Sequence, residues 1–463
     1  MKKSILIIIA IIILCIAAVA AIFFLNNKES EPAITTTQET TTAEPEKPLY
    51  SEGLEYYFYE KENVYHVAGI GICKDEHIRI PPEHEGLPVT RIKYFAFSNC
   101  DFIKEVTIPG SVTYIDDDSF FNCTALETVT ISEGVTYIES SPFTACLSIK
   151  SFTVPKTLTK ISFGNFFTKG LEQMNYSEIP IVNLYYNGSI DDWFNIEFNG
   201  NKESVVFWGN LYCNGKLIED LTIPAEVAES KINIFSGCQS LKSVTFEEGT
   251  KSIADYMFRY CLSLESVTLP HSLEEIGESA FNGCKTLSSI SFPDALKNIN
   301  NYAFLGTSLS VIILPDSLEK LGNSAFSGCP ITEIPSVEKF ETLYFTFSGC
   351  SNLTNIIIPE GVTSLEGTFN QCNSLTTVTL PNGLTTIGGW SFSLCKSLKT
   401  IRIPSSVTHI GEYAFQHCES LTDIYFDGTI EQWFDIEREK YWYASGRGSF
   451  TIHCLDADYP YKE

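Results

Sequence analysis

The sequence predicts a repeat solenoid of short parallel β-strands joined by tight helical turns, and three recurring columns of residues predict it. A Phe returns as Phe97, Phe120, Phe143, Phe166, Phe235, Phe258, Phe281, Phe304, Phe326, Phe347, Phe369, Phe392 and Phe415, thirteen positions at spacings near 23 residues. Three residues after each stands a Cys, in a column from Cys100 to Cys418 that is replaced only by Lys169 and Thr307. A Pro closes the apolar stretch of most units, from Pro109 to Pro404. Self-similarity at a fixed period of roughly 20–29 residues marks a coil that buries its apolar side only against the next coil.

The unit Ser263–Cys284 explains each column. Leu264, Val267 and Leu269 alternate as a short strand, and Pro270 ends it by removing a ladder donor and fixing φ. Leu273 and Ile276 supply a second inward pair, and Ala280, Phe281 and Cys284 fill the turn behind it. The resulting pattern, L-x-x-V-x-I-P-x-x-V-x-x-I-x-x-x-A-F-x-x-C, resembles the BspA-type leucine-rich repeat of bacterial surface proteins, over residues from about Tyr50 to the C-terminus. It lacks the Asn that follows the strand in general leucine-rich repeats, and its ladder residue is Cys. Both departures fit the BspA type. The resemblance implies a leucine-rich-repeat-like solenoid of about thirteen coils and a role at the cell surface.

In chain order, residues 1–27 read as an N-terminal signal anchor. Lys2 and Lys3 precede Ile5–Leu25, an apolar run of 21 residues, which matches the ~20 needed to cross a ~30 Å hydrocarbon layer. The lysines place the N-terminus inside and the rest outside. The run continues past the cleavage-like Ala18-Val19-Ala20, so an uncleaved transmembrane helix is preferred to a secreted product. Leu14 before Cys15 is too large for a lipidation signal. Residues 28–48, rich in Thr, Glu and Pro, cannot bury enough surface to order themselves and read as a linker. Residues 49–91 read as a β cap, with strands Leu54–Tyr59 and Val64–Val67 around the turn Glu60–Asn63.

Residues 92–184 carry the first four turns. Tyr185–Ile196, YYNGSIDDWFNI, then departs from the pattern and returns as Tyr425–Ile436, YFDGTIEQWFDI. The pair resembles the G-T-x-x-x-W module of BspA-type arrays: strand, Gly turn, then a short helix whose Trp packs on the preceding coil. Trp193 and Trp433 could stack a ligand, but the second copy stands where a terminal cap is required, so both are read as cap residues. The first module and its re-entry cover 185–220, the second array of nine turns 221–424, and the second module 425–463.

Fifteen cysteines in an exported chain invite a disulfide framework. Eleven of them fall in one column, however, and would point the same way at one strand spacing, ~4.8 Å, so a reduced ladder of small hydrophobes is expected. No CxxC or His-paired spacing suggests a metal, and Asp116-Asp117-Asp118 lacks the alternation of a calcium loop. The seven His residues are scattered, with no HExxH, GxSxG or GxxxxGK. The expectation is therefore no enzyme, no cofactor and no metal.

A net charge of −26 opposes nucleic acid and anionic lipid surfaces. Outward strand positions, counted back from each Pro, hold mostly Thr and Ser, which β-propensity alone selects. The columns change at Val311, Ile313, Ile331 and Ile357, and these four form the candidate partner patch. Two readings follow. One is a membrane-anchored surface protein recognising an extracellular protein or glycan; the other is an envelope spacer or scaffold with no dedicated ligand.

Overall fold

A β-solenoid is what the chain forms, in a computed structural model that describes residues 49–138, 141–163, 180–200, 208–443 and 450–461. The expected signal anchor, the linker, Phe166 and Lys169 lie outside the described residues. No helix among the described residues is long and apolar enough to cross a membrane.

Each regular coil contributes one strand to a front sheet and a shorter one to a back sheet. Glu105–Ile108, Thr128–Ile131 and Ser151–Val154 pair in parallel on the front, register Val106↔Val129 and Phe152↔Val129. Tyr114–Ile115, Tyr137–Ile138 and Lys160–Phe163 pair in parallel on the back. Alternation then sorts the side chains: Val106, Ile108, Ile115, Val129 and Ile138 point inward and are fully or almost fully buried.

The third side of the coil is the Phe turn. Its rings stack along the axis, Phe97 on Phe120 with centroids 4.8 Å apart and Phe258 on Phe281 at 5.6 Å. Burial contributes about 1.5–3 kcal/mol per ring, and stacking adds roughly 0.5–1.5. The turn closes tightly because the residues two before and two after the Phe adopt left-handed φ: Ser279 (53°) and Gly283 (76°) flank Phe281, and Trp390 (55°) and Leu394 (61°) flank Phe392. Glycine at the second position, as in Gly237, Gly283, Gly306, Gly328 and Gly349, meets this requirement without a Cβ penalty.

Both Gly-Trp modules continue the solenoid as extra coils. Val182–Tyr186 lies between Ser151–Val154 and Gly209–Cys213 in the front sheet, while Glu197–Gly200 extends the back sheet from Lys160–Phe163. The second module repeats this, with Asp423–Phe426 pairing to Phe450–His453 and Glu437–Arg438 to His409–Ile410. Each then ends in an antiparallel return, Lys216–Leu217 and Asp458–Tyr461. The first module therefore closes the first array as a terminal cap would. The front sheet restarts at Asp220–Ile223, and one apolar core still runs from Leu54 to Ile452.

At the N-terminus Glu55–Tyr59 and Val64–Gly69 form an antiparallel hairpin, and the second strand joins Leu87–Ile92 at the start of the back sheet.

Candidate functional site on the front sheet

In the regular coils the outward front positions are hydroxyl residues in register, Thr107↔Thr130↔Thr153 and Thr222↔Thr245↔Thr268. The ladder lapses after Ser266–Thr268 and resumes at Asn355–Ile357; no strand is formed over 287–293, 309–315 or 331–335. The spacing from turn to strand changes in the same stretch: Cys284 and Leu287 are three residues apart, but Thr307 and Leu309, and Cys329 and Ile331, are only two apart.

Val311, Ile313 and Ile357 stand outward there, 67%, 79% and 74% exposed. The opened sheet also leaves Leu269, Ile290, Phe292, Leu314 and Ile334 only half-buried, although they pack on the core. Glu333 is exposed between the coils of Ile313 and Ile357. Ile331 corrects the sequence reading, for its exposure is 0%. Its stretch up to the Pro is two residues shorter, Ile331-Thr332-Glu333-Ile334-Pro335, so counting back from Pro335 mistakes a core residue for an outward one. Ile331 occupies the place of Leu309 and Leu353, both buried.

Trp193 and Trp433 are fully buried, each edge-to-face at 5.4 Å and 67° with Tyr186 or Phe426. A Cβ on Gly188 or Gly428 would lie 2.5 Å from the same Tyr186 or Phe426 ring, which is why Gly precedes the helix. Ser189 with Asp192, and Thr429 with Gln432, close capping boxes on helices Ile190–Phe194 and Ile430–Asp435. Every residue type in the G-S/T-x-x-x-W signature is thereby assigned to packing or capping. Neither Trp presents a face to a ligand.

The described cysteines are all free thiols, and all but half-buried Cys454 are buried. Within each array the ladder thiols donate to the carbonyl of the Phe one coil back, Cys284 Sγ to Phe258 O at 3.2 Å and Cys418 Sγ to Phe392 O at 3.1 Å, whereas Cys100 and Cys238, the first of each array, turn to Ser98 O and Ser240 Oγ. Burial pushes the Cys329, Cys372 and Cys418 thiols up to about 12. Among the described residues no cluster of three or more His, Cys, Asp or Glu is arranged to hold a metal ion.

One histidine is firmly bridged. His453 Nδ1 lies 2.9 Å from Asp458 Oδ1 and Nε2 2.9 Å from Asp423 Oδ1, while its ring stacks on Tyr425 at 4.8 Å. Hydrogen bonds to Asp423 and Asp458 raise its pKa above the ordinary histidine value, and the same contact lowers that of Asp423.

These coils, sheets and Phe–Cys turns define a leucine-rich-repeat-like β-solenoid. The chain belongs to the family of the BspA type leucine rich repeat region, matched in six copies over residues 73–187, 209–332 and 341–435. No curated protein matches it. Among solved structures, a leucine-rich repeat protein from Bacteroides ovatus is similar at 23% identity, with 88% of this chain and 99% of that chain covered and a TM-score of 0.48. A leucine rich cell surface protein from Faecalibacterium prausnitzii is 22% identical, covering 84% and 97%, with a TM-score of 0.45. A leucine-rich repeat protein from Eubacterium ventriosum is 22% identical, covering 88% and 98%, with a TM-score of 0.38.

Proposed function

We propose that this is a non-catalytic surface recognition protein that captures a protein partner on the front sheet around Val311, Ile313 and Ile357. The observation that carries the reading is that aliphatic side chains replace the outward hydroxyls where the strand ladder lapses, at Val311 and Ile313, and again at Ile357 in the strand that resumes it. Isolated exposed apolar residues are ordinary on any surface. Apolar residues grouped over an opened sheet, with half-buried Ile290, Phe292 and Leu314 beneath, are of the kind that marks interaction sites. The aliphatic character favours protein over glycan, since sugars are held by exposed aromatic faces and dense polar donors, and the protein's charge of −26 turns away nucleic acid. Display outside the membrane behind Ile5–Leu25 belongs to the same proposal, supported by the Lys2-Lys3 flank and the run's length.

The test is capture from extracellular protein and glycan libraries by the wild-type chain and by a Val311→Thr, Ile313→Thr, Ile357→Thr triple variant. A saturable protein partner lost on substitution, with the melting temperature unchanged, is the expected result. Saturable capture of glycans alone, capture unaffected by the triple variant, or no partner beyond the chain itself, as for a spacer, would each overturn the reading.

A further inference from the structure

Solenoids are ordinarily closed by polar ends, because an open sheet edge offers unpaired N–H and C=O groups to any passing strand. Of the four outer edges among the described residues, three are guarded. Asp458–Tyr461 carries Pro460, which lacks a donor, and Glu437–Arg438 is two charged residues long. His77–Arg79 is tied at one end by Ser51, whose N–H donates to Arg79 O at 2.9 Å and whose Oγ accepts from Arg79 N at 3.0 Å. The fourth edge, Glu55–Tyr59, has five residues, no Pro and a single charge at its first position, and its one register shift, between Glu55 and Tyr56, leaves Tyr56–Tyr59 regular. Among the described residues it is bonded on one side only, to Val64–Gly69.

The strand is also rigid and apolar. Tyr56 stacks on His84 at 3.8 Å, Tyr59 on His66 at 5.2 Å, and Lys93 Nζ sits 4.3 Å from the centre of the Tyr57 ring. Tyr57 and Phe58 remain 49% and 39% exposed. A strand already fixed in its extended form loses little further entropy on pairing.

We infer that Glu55–Tyr59 is a docking edge for a second copy of this chain, which it joins as an antiparallel, two-fold strand pair centred on Tyr57. The occupant follows from the near-palindromic sequence Tyr56-Tyr57-Phe58. In that register Tyr56 faces Phe58 of the other copy and Tyr57 faces Tyr57, aromatic cross-strand pairs of the kind that stabilise a sheet. Each Glu55 lies opposite a Tyr59, and the two Glu55 residues are about 14 Å apart, beyond the ~8 Å screening length at physiological salt. The charge of −26 on each copy opposes association at low ionic strength, so pairing strengthens as salt is added. A single edge buries less than the ~1,200 Å² of a stable interface, so the dimer is a reversible, concentration-dependent one.

The experiment is sedimentation of the full chain in mild detergent from about 1 to about 100 µM, with the Tyr57→Lys variant beside it, followed by bis-maleimide cross-linking of Tyr57→Cys. The expected result is a dimer that strengthens with salt and is weakened about tenfold or more by Tyr57→Lys, whose melting temperature stays that of wild type. The thiol introduced by Tyr57→Cys should cross-link to its mate, whereas a Lys61→Cys control, in the hairpin turn beyond the paired strand, should not. A wild-type monomer throughout, a dimer indifferent to Tyr57→Lys, or equal cross-linking at both positions would overturn the inference. None of these outcomes depends on the patch at Val311.

Discussion

Cys284 shows how one side chain can serve the whole array. A coil interior repeating every 23 residues or so needs a small apolar filler behind each Phe, and a thiol meets that need while donating a weak hydrogen bond to Phe258 O. Thr307 makes the point by exception: its hydroxyl donates to Phe304 O at 3.0 Å and contacts Cys329 Sγ at 3.2 Å. Replacing Cys284 by Ala removes both the volume and the donor, so we expect a loss of about 1–2 kcal/mol. Cys284→Thr, which keeps a donor and most of the volume, should lose less. Urea denaturation of the two variants checks the order; equal losses would mean that the hydrogen bond contributes nothing. The column was legible in the sequence as a spacing, and its single file of residues pointing one way favoured the free thiols that the structure holds. The carbonyl acceptor one coil back was not legible, since its position depends on how the left-handed turn residues aim the backbone.

At the scale of elements, the strands and modules were legible wherever the period held and misleading where it failed. Val311, Ile313 and Ile357 were placed outward from alternation alone, whereas Ile331 was misplaced because Pro335 closes a shorter stretch. Alternation is reliable only once the starting residue of the strand is fixed, and around Ile331 neither the preceding Cys329 nor the following Pro335 stands at its regular spacing. The return strand after the first module had its own signal in Asn214-Gly215, which take left-handed φ of 48° and 73° in a two-residue hairpin turn. The corresponding return at the C-terminus is pinned by His453 between Asp423 and Asp458, with Tyr425 stacked against its ring. His453 titrates above its unfolded value, so its contribution is complete below about pH 6.5 and is lost as pH rises through the folded pKa. Hydrogen exchange of Asp458–Tyr461 should therefore quicken between pH 6 and 8 more than intrinsic chemistry requires. In His453→Gln that excess should vanish; its persistence would assign the effect to another group.

The whole molecule is a one-dimensional stack, and its stability is set by coil-to-coil interfaces rather than by a single centre. Those interfaces are unequal. Neither sheet crosses from the first array into the second: the front sheet turns back at Lys216–Leu217, and the back sheet ends at Glu197–Gly200 before restarting at Ser252–Ile253. Among the described residues the junction is held by the Gly209↔Cys238 bridge, by Leu211 N donating to Ser240 Oγ at 3.2 Å, by Lys231 Nζ donating to Ile196 O at 3.3 Å, and by Phe235 packed edge-to-face on Phe194 at 6.2 Å. Phe235 also begins the Phe stack of the second array, on Phe258 at 5.7 Å. Phe235→Ala should therefore cost about 3–5 kcal/mol, as a buried ring does elsewhere, but should act on coupling as well as on total stability. With this junction thinned further, the two capped arrays should unfold separately. Calorimetry is expected to show two transitions for Phe235→Ala, whereas Phe281→Ala, inside an array and of equal volume, should lower the melting temperature without creating a second transition. A single transition in both variants would mean that the continuous apolar core, and not the hydrogen-bonded ladders, carries cooperativity across the junction.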